Sequence, residues 1–455
     1  MANDGVIIVG GGVSGLATAN FLATRGVAST LFEKNDRLGG LIKTDLVEGC
    51  RLEAGPDSFL SAKPAVTEIA GMLGLADHII GSNDKARRVY VVRDGKLVAM
   101  PKGMVMMVPA QWGPVFHSRL FSTGTKARLL AEIFEKPTIR SEDVSVGQFV
   151  EEHFGKEILE YIAEPLLCGV YGGDSASLSA ESVLPRFLSY EARYGSLIKG
   201  VREESAKTPR SGPLFSSFRN GMGELIDALA SGSRSYCKIV HSAVTNLEQT
   251  TAGWRVAADG KTLEGAALVL ACPSYITGEL LANISPVLAS HLSSIPYSSA
   301  ILVTLVLRAS EIKGKLDGFG FLVPRAERRS IAAATFIHNK FPGRIPPELA
   351  GIRAFIVGKE AKELLNAPES ELLNLVREEL RRLTGVQGQP VFSSVYRWPD
   401  SMPQYVVGHK ERQRAIADCL EHFASLYLVG NSYDGIGIPD CVHLARQAAD
   451  RLSRE

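Results

Sequence analysis

The chain has 455 residues, 45% hydrophobic and 22% charged, with a formal net charge of +1; that is the composition of a globular protein, and the length exceeds one ordinary domain of about 150 residues. A charge so close to zero argues against a global field that would draw it to nucleic acid or anionic lipid. Its six scattered cysteines include no CxxC pair, which argues against a zinc site or redox dithiol and fits a reducing cytosol.

Val6 to Val9 is a short apolar run that ends at Gly10-Gly11-Gly12, with no basic stretch before it. It is too short for a signal peptide and reads as a buried strand over 5–10. Residues 14–25 read as a helix with Leu16, Ala19 and Leu22 on one face. Thr30 to Glu33 follows as a second strand, which completes a βαβ unit. Residues 89–100 read as a hairpin, because Asp94-Gly95 separates two apolar runs. From about 103 to 205 the pattern is helical, and 141–154 places Val146, Phe149, Val150 and His153 on one face. Pro and Gly residues at 207–213 mark a break.

Strands resume at 237–257, where Ala243-Val244-Thr245 reads as a continuation of Lys238-Ile239-Val240. Leu268 to Ala271 and the long apolar run 300–307 read as buried strands, and 352–357 as another. Glu369 to Leu383 is an amphipathic helix with Leu372, Leu373, Val376, Leu380 and Leu383 inward. A strand at 427–430 and a helix at 439–452 close the chain, so one domain draws on both ends. No run of about 18 apolar residues occurs, so no spanning helix is expected. Met104 to Val108 with Trp112, Val115 and Phe116 reads as core, with a peripheral membrane contact as the rival reading.

Four motifs carry chemistry. Gly10-x-Gly12-x-x-Gly15 follows a strand and opens a helix, with Gly11, Val13 and Ser14 between the glycines. Such a turn brings backbone and a helix N-terminus to a pyrophosphate. Glu33, 18 residues beyond Gly15, sits where a carboxylate meets a ribose hydroxyl. Arg37-Leu38-Gly39-Gly40 adds a second close turn and a cation beside the same phosphates, which tilts the reading from NAD to FAD. In Glu53-Ala54-Gly55-Pro56-Asp57-Ser58-Phe59 the Gly-Pro pair fixes a turn that a flavin edge could meet, with an ordinary turn as the other reading. Val429 to Asp440 presents glycines before a last helix, with Pro439 near its first turn, whose exposed N–H groups could meet flavin carbonyls.

These stretches resemble the flavin-containing amine oxidase superfamily. With Glu164-Pro165-Leu166-Leu167-Cys168-Gly169-Val170-Tyr171-Gly172-Gly173-Asp174, Phe218-Arg219-Asn220-Gly221-Met222, Trp398-Pro399 to His409, and Gly430 to Cys441, they resemble its bacterial porphyrinogen oxidases. The resemblance implies an α/β and α+β fold of the amine oxidase and p-hydroxybenzoate hydroxylase type. Its parts would be a Rossmann-like FAD domain (1–85 with 212–295 and 425–455), a mixed-sheet substrate domain (86–102 with 296–424) and a helical domain (103–211). It implies non-covalent FAD, held at Gly10 to Gly15, Glu33, Lys34, Arg37, Gly39, Gly40, Gly55 to Ser58, Val244, Trp398, Gly430 and Ile436 to Ile438. It further implies that Gly169 and an arginine before the Val89 strand meet a porphyrinogen. Arg87 and Arg88 both occupy that place, and Arg88 is preferred. No catalytic residue is singled out, since hydride passes to the flavin.

The implied reaction is the six-electron oxidation of coproporphyrinogen III or protoporphyrinogen IX by molecular oxygen, with peroxide release, in haem biosynthesis. The implied setting is the cytoplasm, with a peripheral membrane contact, a monomer and a homodimer all left open. Asp57 departs from some members, which carry Asn there. Two other readings stand beside this one. One is a different enzyme of the superfamily, an amine oxidase or carotenoid desaturase, though 7% aromatic residues is sparse for an amine cage. The other is a flavin-free escort protein of the same fold.

Overall fold

The computed structural model describes residues 5–207, 212–312 and 316–453. The chain divides into two compact units, one from 1–82, 214–296 and 411–455, the other from 83–213 and 297–410.

In the first unit five parallel strands lie in the order Cys237–His241, Ser29–Glu33, Val6–Val9, Ala267–Leu270, Leu426–Leu428. Val6–Val9 is buried throughout, as a parallel strand covered on both faces must be. The chain moves from this strand to one neighbour through the helix Val13–Ala23, while the neighbour on the other side arrives much later. The carboxyl end of Val6–Val9 is therefore a switch point, where open α/β sheets bind ligands. The helix Val13–Ala23 does not bury one face only. It is buried nearly all round, because Leu16, Leu22 and their neighbours share a core with Leu225 and Leu229 of Gly223–Ser233 and with Val442 and Ala445 of Ile438–Leu452.

Val244 does not continue the Cys237–His241 strand. Ser242 turns the chain by donating its N–H to Glu33 O and Val240 O. Val244–Thr250 then opens a separate antiparallel sheet with Gly253–Ala258 and Lys261–Gly265.

The second unit holds a mixed seven-stranded sheet in the order Phe392–Pro403, Tyr297–Arg308, Leu349–Val357, Ala333–Phe336, Gly320–Leu322, Val89–Arg93, Lys96–Ala99. Its one parallel pairing joins Gly320–Leu322 to Val89–Arg93. The last hairpin turns at Asp94 (φ 51°) and Gly95 (φ 70°), the two left-handed positions of a tight type I′ turn. Leu372, Val376, Leu380 and Leu383 of the helix Glu369–Thr384 pack into the core of this sheet. Gly385 in the left-handed conformation ends that helix.

The stretch read as helical from 103 opens instead with a small hairpin, Met104–Val105 with Val108–Pro109. Met107, Val108 and Val115 are core, whereas Met106 and Phe116 are exposed. Helices Thr123–Glu132, Val146–Phe154, Pro185–Tyr194 and Leu197–Lys207 follow. The second begins at Val146, not near 141, because the Ser145 hydroxyl accepts the Gln148 N–H and caps it there. Residues 208–211 of the break placed at 207–213 lie outside the described residues. Among the described residues no helix is long and apolar enough to cross a membrane.

Buried charge ties these helices together. His153 sits between Glu132 (Nδ1 to Oε1, 3.1 Å) and Glu191 (Nε2 to Oε1, 3.2 Å). Glu132, with no exposed surface, also accepts the Ser196 hydroxyl at 2.7 Å and the Leu197 N–H at 2.6 Å. Glu191 takes both arms of Arg140, at 2.8 and 2.7 Å.

Candidate functional site

In the first unit each glycine of the opening motif meets a different steric demand. Gly10 has φ 111°, and a Cβ there would lie 2.9 Å from the carbonyl of Ala271. A Cβ on Gly15 would lie 1.9 Å from Gly10 O, so only hydrogen lets the helix pack on its own entry turn. At Gly12 a Cβ would meet nothing within 4 Å. Gly12 is also the N-cap of Val13–Ala23 and makes no side-chain capping bond. The helix therefore presents backbone N–H groups and its positive end to open space, the arrangement that suits a phosphate.

Glu33 ends its strand buried. Its Oε2 accepts the Gly11 N–H at 2.7 Å, and its Oε1 accepts Asn35 N–H at 2.9 Å and Asn35 Nδ2–H at 2.6 Å. The carboxylate thus holds the glycine loop in shape, and its remaining lone pairs can accept ribose hydroxyls. Lys34 beside it is exposed. Gly39 (φ 99°) runs parallel to Gly12 and donates its N–H to Gly11 O at 2.8 Å. Gly40 is closer still, since a Cβ there would lie 3.3 Å from Gly12 Cα. Arg37 donates to the carbonyls of Leu38, Gly40 and Ile42. Its guanidinium buttresses this second turn from within.

Gly55 follows because a Cβ on it would lie 2.0 Å from Leu41 O. Asp57 accepts the Ser58 hydroxyl at 2.6 Å, and the Ser217 hydroxyl donates to Asp57 O at 2.7 Å. Gly430 has φ 140° and open space on its Cβ side. Gly437 caps the helix Ile438–Leu452, and its N–H donates to Asp440 Oδ2 at 3.2 Å. Cys441 on that helix is buried, and burial pushes its thiol up to about 11. It stays a neutral packing group rather than a thiolate. Val244 opens the antiparallel sheet, where its strand shifts register before Asn246.

The remaining expected site residues belong to the second unit. Trp398 lies on Phe392–Pro403 opposite Ala300 and packs on the cluster of Cys168, Ala300, Leu302 and Val357. Gly169 sits in the helix Glu164–Tyr171, exposed and with room for a side chain. That helix follows a π-helical turn, Leu159–Ala163, next to Pro165, which has no N–H to give to a regular turn. Glu164 pairs with Arg328 at 3.0 Å. Burial holds its carboxyl above the ordinary range, against the pull of Arg328. Arg328 also donates to Cys168 Sγ at 3.4 Å, yet burial pushes that thiol up to about 11. Arg87 reaches Asp84 at 3.5 Å. Arg88 is half exposed and pairs with Asp317 and Tyr90.

Several residues hold these loops through contacts that the sequence did not signal, among them Glu53, which opens the Glu53 to Phe59 motif. Asn35 holds Glu33. Glu53 accepts the Met222 N–H (2.9 Å) and the Thr44 hydroxyl (2.7 Å), while Thr44 accepts the Gly223 N–H (2.9 Å). Lys63 pairs with Asp440 at 2.6 Å. Spacing from Gly12 could not have found Lys63 or Glu53, because their partners lie 377 and 169 residues away.

A family model described as flavin containing amine oxidoreductase matches residues 13–453. The coproporphyrinogen III oxidase of Bacillus subtilis (strain 168) is 30% identical, covering 97% of this chain and 96% of that protein. Its namesake in Propionibacterium freudenreichii subsp. freudenreichii is 32% identical over 98% of this chain and 90% of its own length. The chloroplastic protoporphyrinogen oxidase of Nicotiana tabacum is 28% identical over 98% and 85%. A crystal structure from Exiguobacterium sp. 255-15, whose assignment as a protoporphyrinogen oxidase is itself provisional, superposes with a TM-score of 0.89 at 26% identity, over 100% of this chain and 99% of that one. Cyclohexylamine oxidase from Brevibacterium oxydans IH-35A reaches a TM-score of 0.70 at 16% identity over 99% of both chains, a likeness of fold alone.

Proposed function

The chain belongs to the flavin containing amine oxidoreductases, and from that membership we propose that it is an FAD-dependent oxidase that converts a porphyrinogen to the porphyrin in haem biosynthesis. The observation that carries this reading is the similarity to a curated coproporphyrinogen III oxidase over 97% of the chain. The match takes in both units rather than the dinucleotide loop alone. It favours the porphyrinogen reading over the amine oxidase one, since putrescine oxidase and cyclohexylamine oxidase share the fold at only 18% and 16% identity.

FAD is held non-covalently by the first unit. The N–H groups at the start of Val13–Ala23 take the pyrophosphate, Glu33 the ribose, and the Gly55 to Ser58 turn and the start of Ile438–Leu452 the ring. The open Cβ side of Gly12 is the feature of the structure that fits such a group. Bound flavin supplies a two-electron acceptor that oxygen regenerates with release of peroxide, so a six-electron oxidation takes three rounds. The protein's part is to place the macrocycle and keep water out. Residues 86–102 with 296–424 supply the substrate sheet, and 103–211 a helical cover over an apolar pocket. Arg88 reads a propionate of the substrate, and the exposed backbone at Gly169 lies against its ring.

The test is aerobic incubation of the flavin-loaded protein with coproporphyrinogen III and, separately, protoporphyrinogen IX, followed by porphyrin fluorescence and peroxide. Porphyrin from either supports the reading, and the faster of the two names the substrate. Loaded protein that yields no porphyrin from either overturns it.

A further inference from the structure

Arg88 is not an idle cation waiting for a ligand. Its Nη1 donates to Asp317 Oδ2 and lies 3.4 Å from the Tyr90 hydroxyl, which itself donates to Asp317 Oδ1. Arg88 and Tyr90 are two residues apart on one extended segment, so both side chains lie on the same face of the sheet. Asp317 is brought there by main chain. The Phe319 N–H donates to Arg88 O at 2.7 Å, and Gly320 runs parallel in register with Val89. A Cβ on Gly318 would lie 2.3 Å from Arg88 O, and Gly318 adopts φ 84°, so the chain reaches Arg88 as closely as a glycine permits. The carboxylate is therefore delivered to the guanidinium by a strand pairing rather than by a chance meeting of long side chains.

We infer that Asp317 is a built-in competitor for the carboxylate that Arg88 reads, and so sets how tightly a carboxylate-bearing macrocycle is held. This rests on the proposed function and deepens it. A substrate propionate approaching Arg88 must displace the Asp317 carboxylate or share the fork with it. Only Nη1 is engaged among the described residues, so sharing is geometrically open, but it sets two negative groups side by side. Displacement and sharing both weaken binding, and both effects vanish if residue 317 loses its charge. The pair is half exposed, with side-chain exposures of 50% and 65%, so the competition is mild enough for substrate to win.

Asp317→Asn keeps the acceptor for Tyr90 and removes the charge. It is expected to lower KM for coproporphyrinogen III about two- to fivefold with kcat unchanged, the modest scale of an exposed charge pair, and with flavin absorbance unaltered. Arg88→Ala is expected to raise KM and to abolish the difference between Asp and Asn at 317. An unchanged or higher KM in Asp317→Asn, measured where the wild type turns over, overturns the inference and leaves the proposed function standing. So does an Arg88→Ala variant with wild-type KM, or a fall in KM from Asp84→Asn in place of Asp317→Asn, which would make Arg87 the reader. A wild type that oxidises no porphyrinogen fails the proposed function itself.

Discussion

The glycine loop of the first unit and the helical stretch of the second hold their shape by different means. Around Gly10 and Gly15 the determining contacts are backbone on backbone, at separations where a single Cβ would collide. Around His153 they are side chain on side chain, with Glu132 and Glu191 buried and Arg140 reaching in from the surface, each drawn from a separate stretch of chain. A backbone-built site tolerates little added volume. A side-chain network tolerates volume better but cannot lose a charge.

Removing one member of the network should have the largest effect. Glu132→Ala leaves His153 with a single carboxylate and takes the acceptor from the Leu197 N–H, and breaking a buried pair typically costs about 3–5 kcal/mol. Chemical denaturation should show that loss, and a shift below 1 kcal/mol would mean the network is ornamental. Gly15→Ala should cost about 1–3 kcal/mol as an overpacked contact and, unlike Glu132→Ala, should purify with much reduced flavin. Full flavin occupancy in that variant would break the contrast between the two regions.

Acid should sharpen the contrast further. Burial pushes the Glu157 carboxyl up, but hydrogen bonds from Thr125, Ser122 and Arg93 outweigh it and hold the group below the ordinary value. A carboxylate with a lowered folded value contributes stability that is fully present above the ordinary glutamate value of about 4.3 and fades as pH falls below it. Hydrogen exchange should therefore accelerate in the Thr123–Glu132 helix, next to Ser122, below about pH 4, and Glu157→Gln should flatten that dependence. The smallest effect belongs to Lys63→Met. Its partner Asp440 is shared with the Gly437 N–H, and its own side chain is 47% exposed, so the loss should stay within about 0.2–1 kcal/mol.

The same contrast explains what could be read in advance. The turn at Gly10 to Gly15 and the Asp94-Gly95 hairpin were legible because much of their physics is local: φ, the collision a Gly15 Cβ would make with Gly10 O, one turn of helix. The Val244 strand was misplaced because its apolar pattern matches the preceding strand, and the turn at Ser242 depends on Glu33 O, more than 200 residues earlier in the chain. The small hairpin after Gly103 was hidden in a helical pattern for lack of a turn signal as strong as Asp-Gly. Arg87 and Arg88 could not be separated by spacing, and nothing near Arg88 foretold Asp317, 229 residues on. The Glu132, His153 and Glu191 network was equally out of reach. Only His153 could be assigned to a buried helix face, because period alone says inward but not toward what.

The parallel sheet also bears on how the molecule is made. Val6–Val9 leaves the ribosome some 260 residues ahead of one of its two neighbours, Ala267–Leu270, and the edge strand Leu426–Leu428 follows later still. The helix that closes over the glycine-loop helix, Ile438–Leu452, is synthesised after all of these strands. Pairings so distant in sequence form slowly and leave apolar strands exposed in the meantime. The nascent first unit should thus lean on chaperones until these late segments emerge, and a ligand of the folded glycine loop should help to draw them into place.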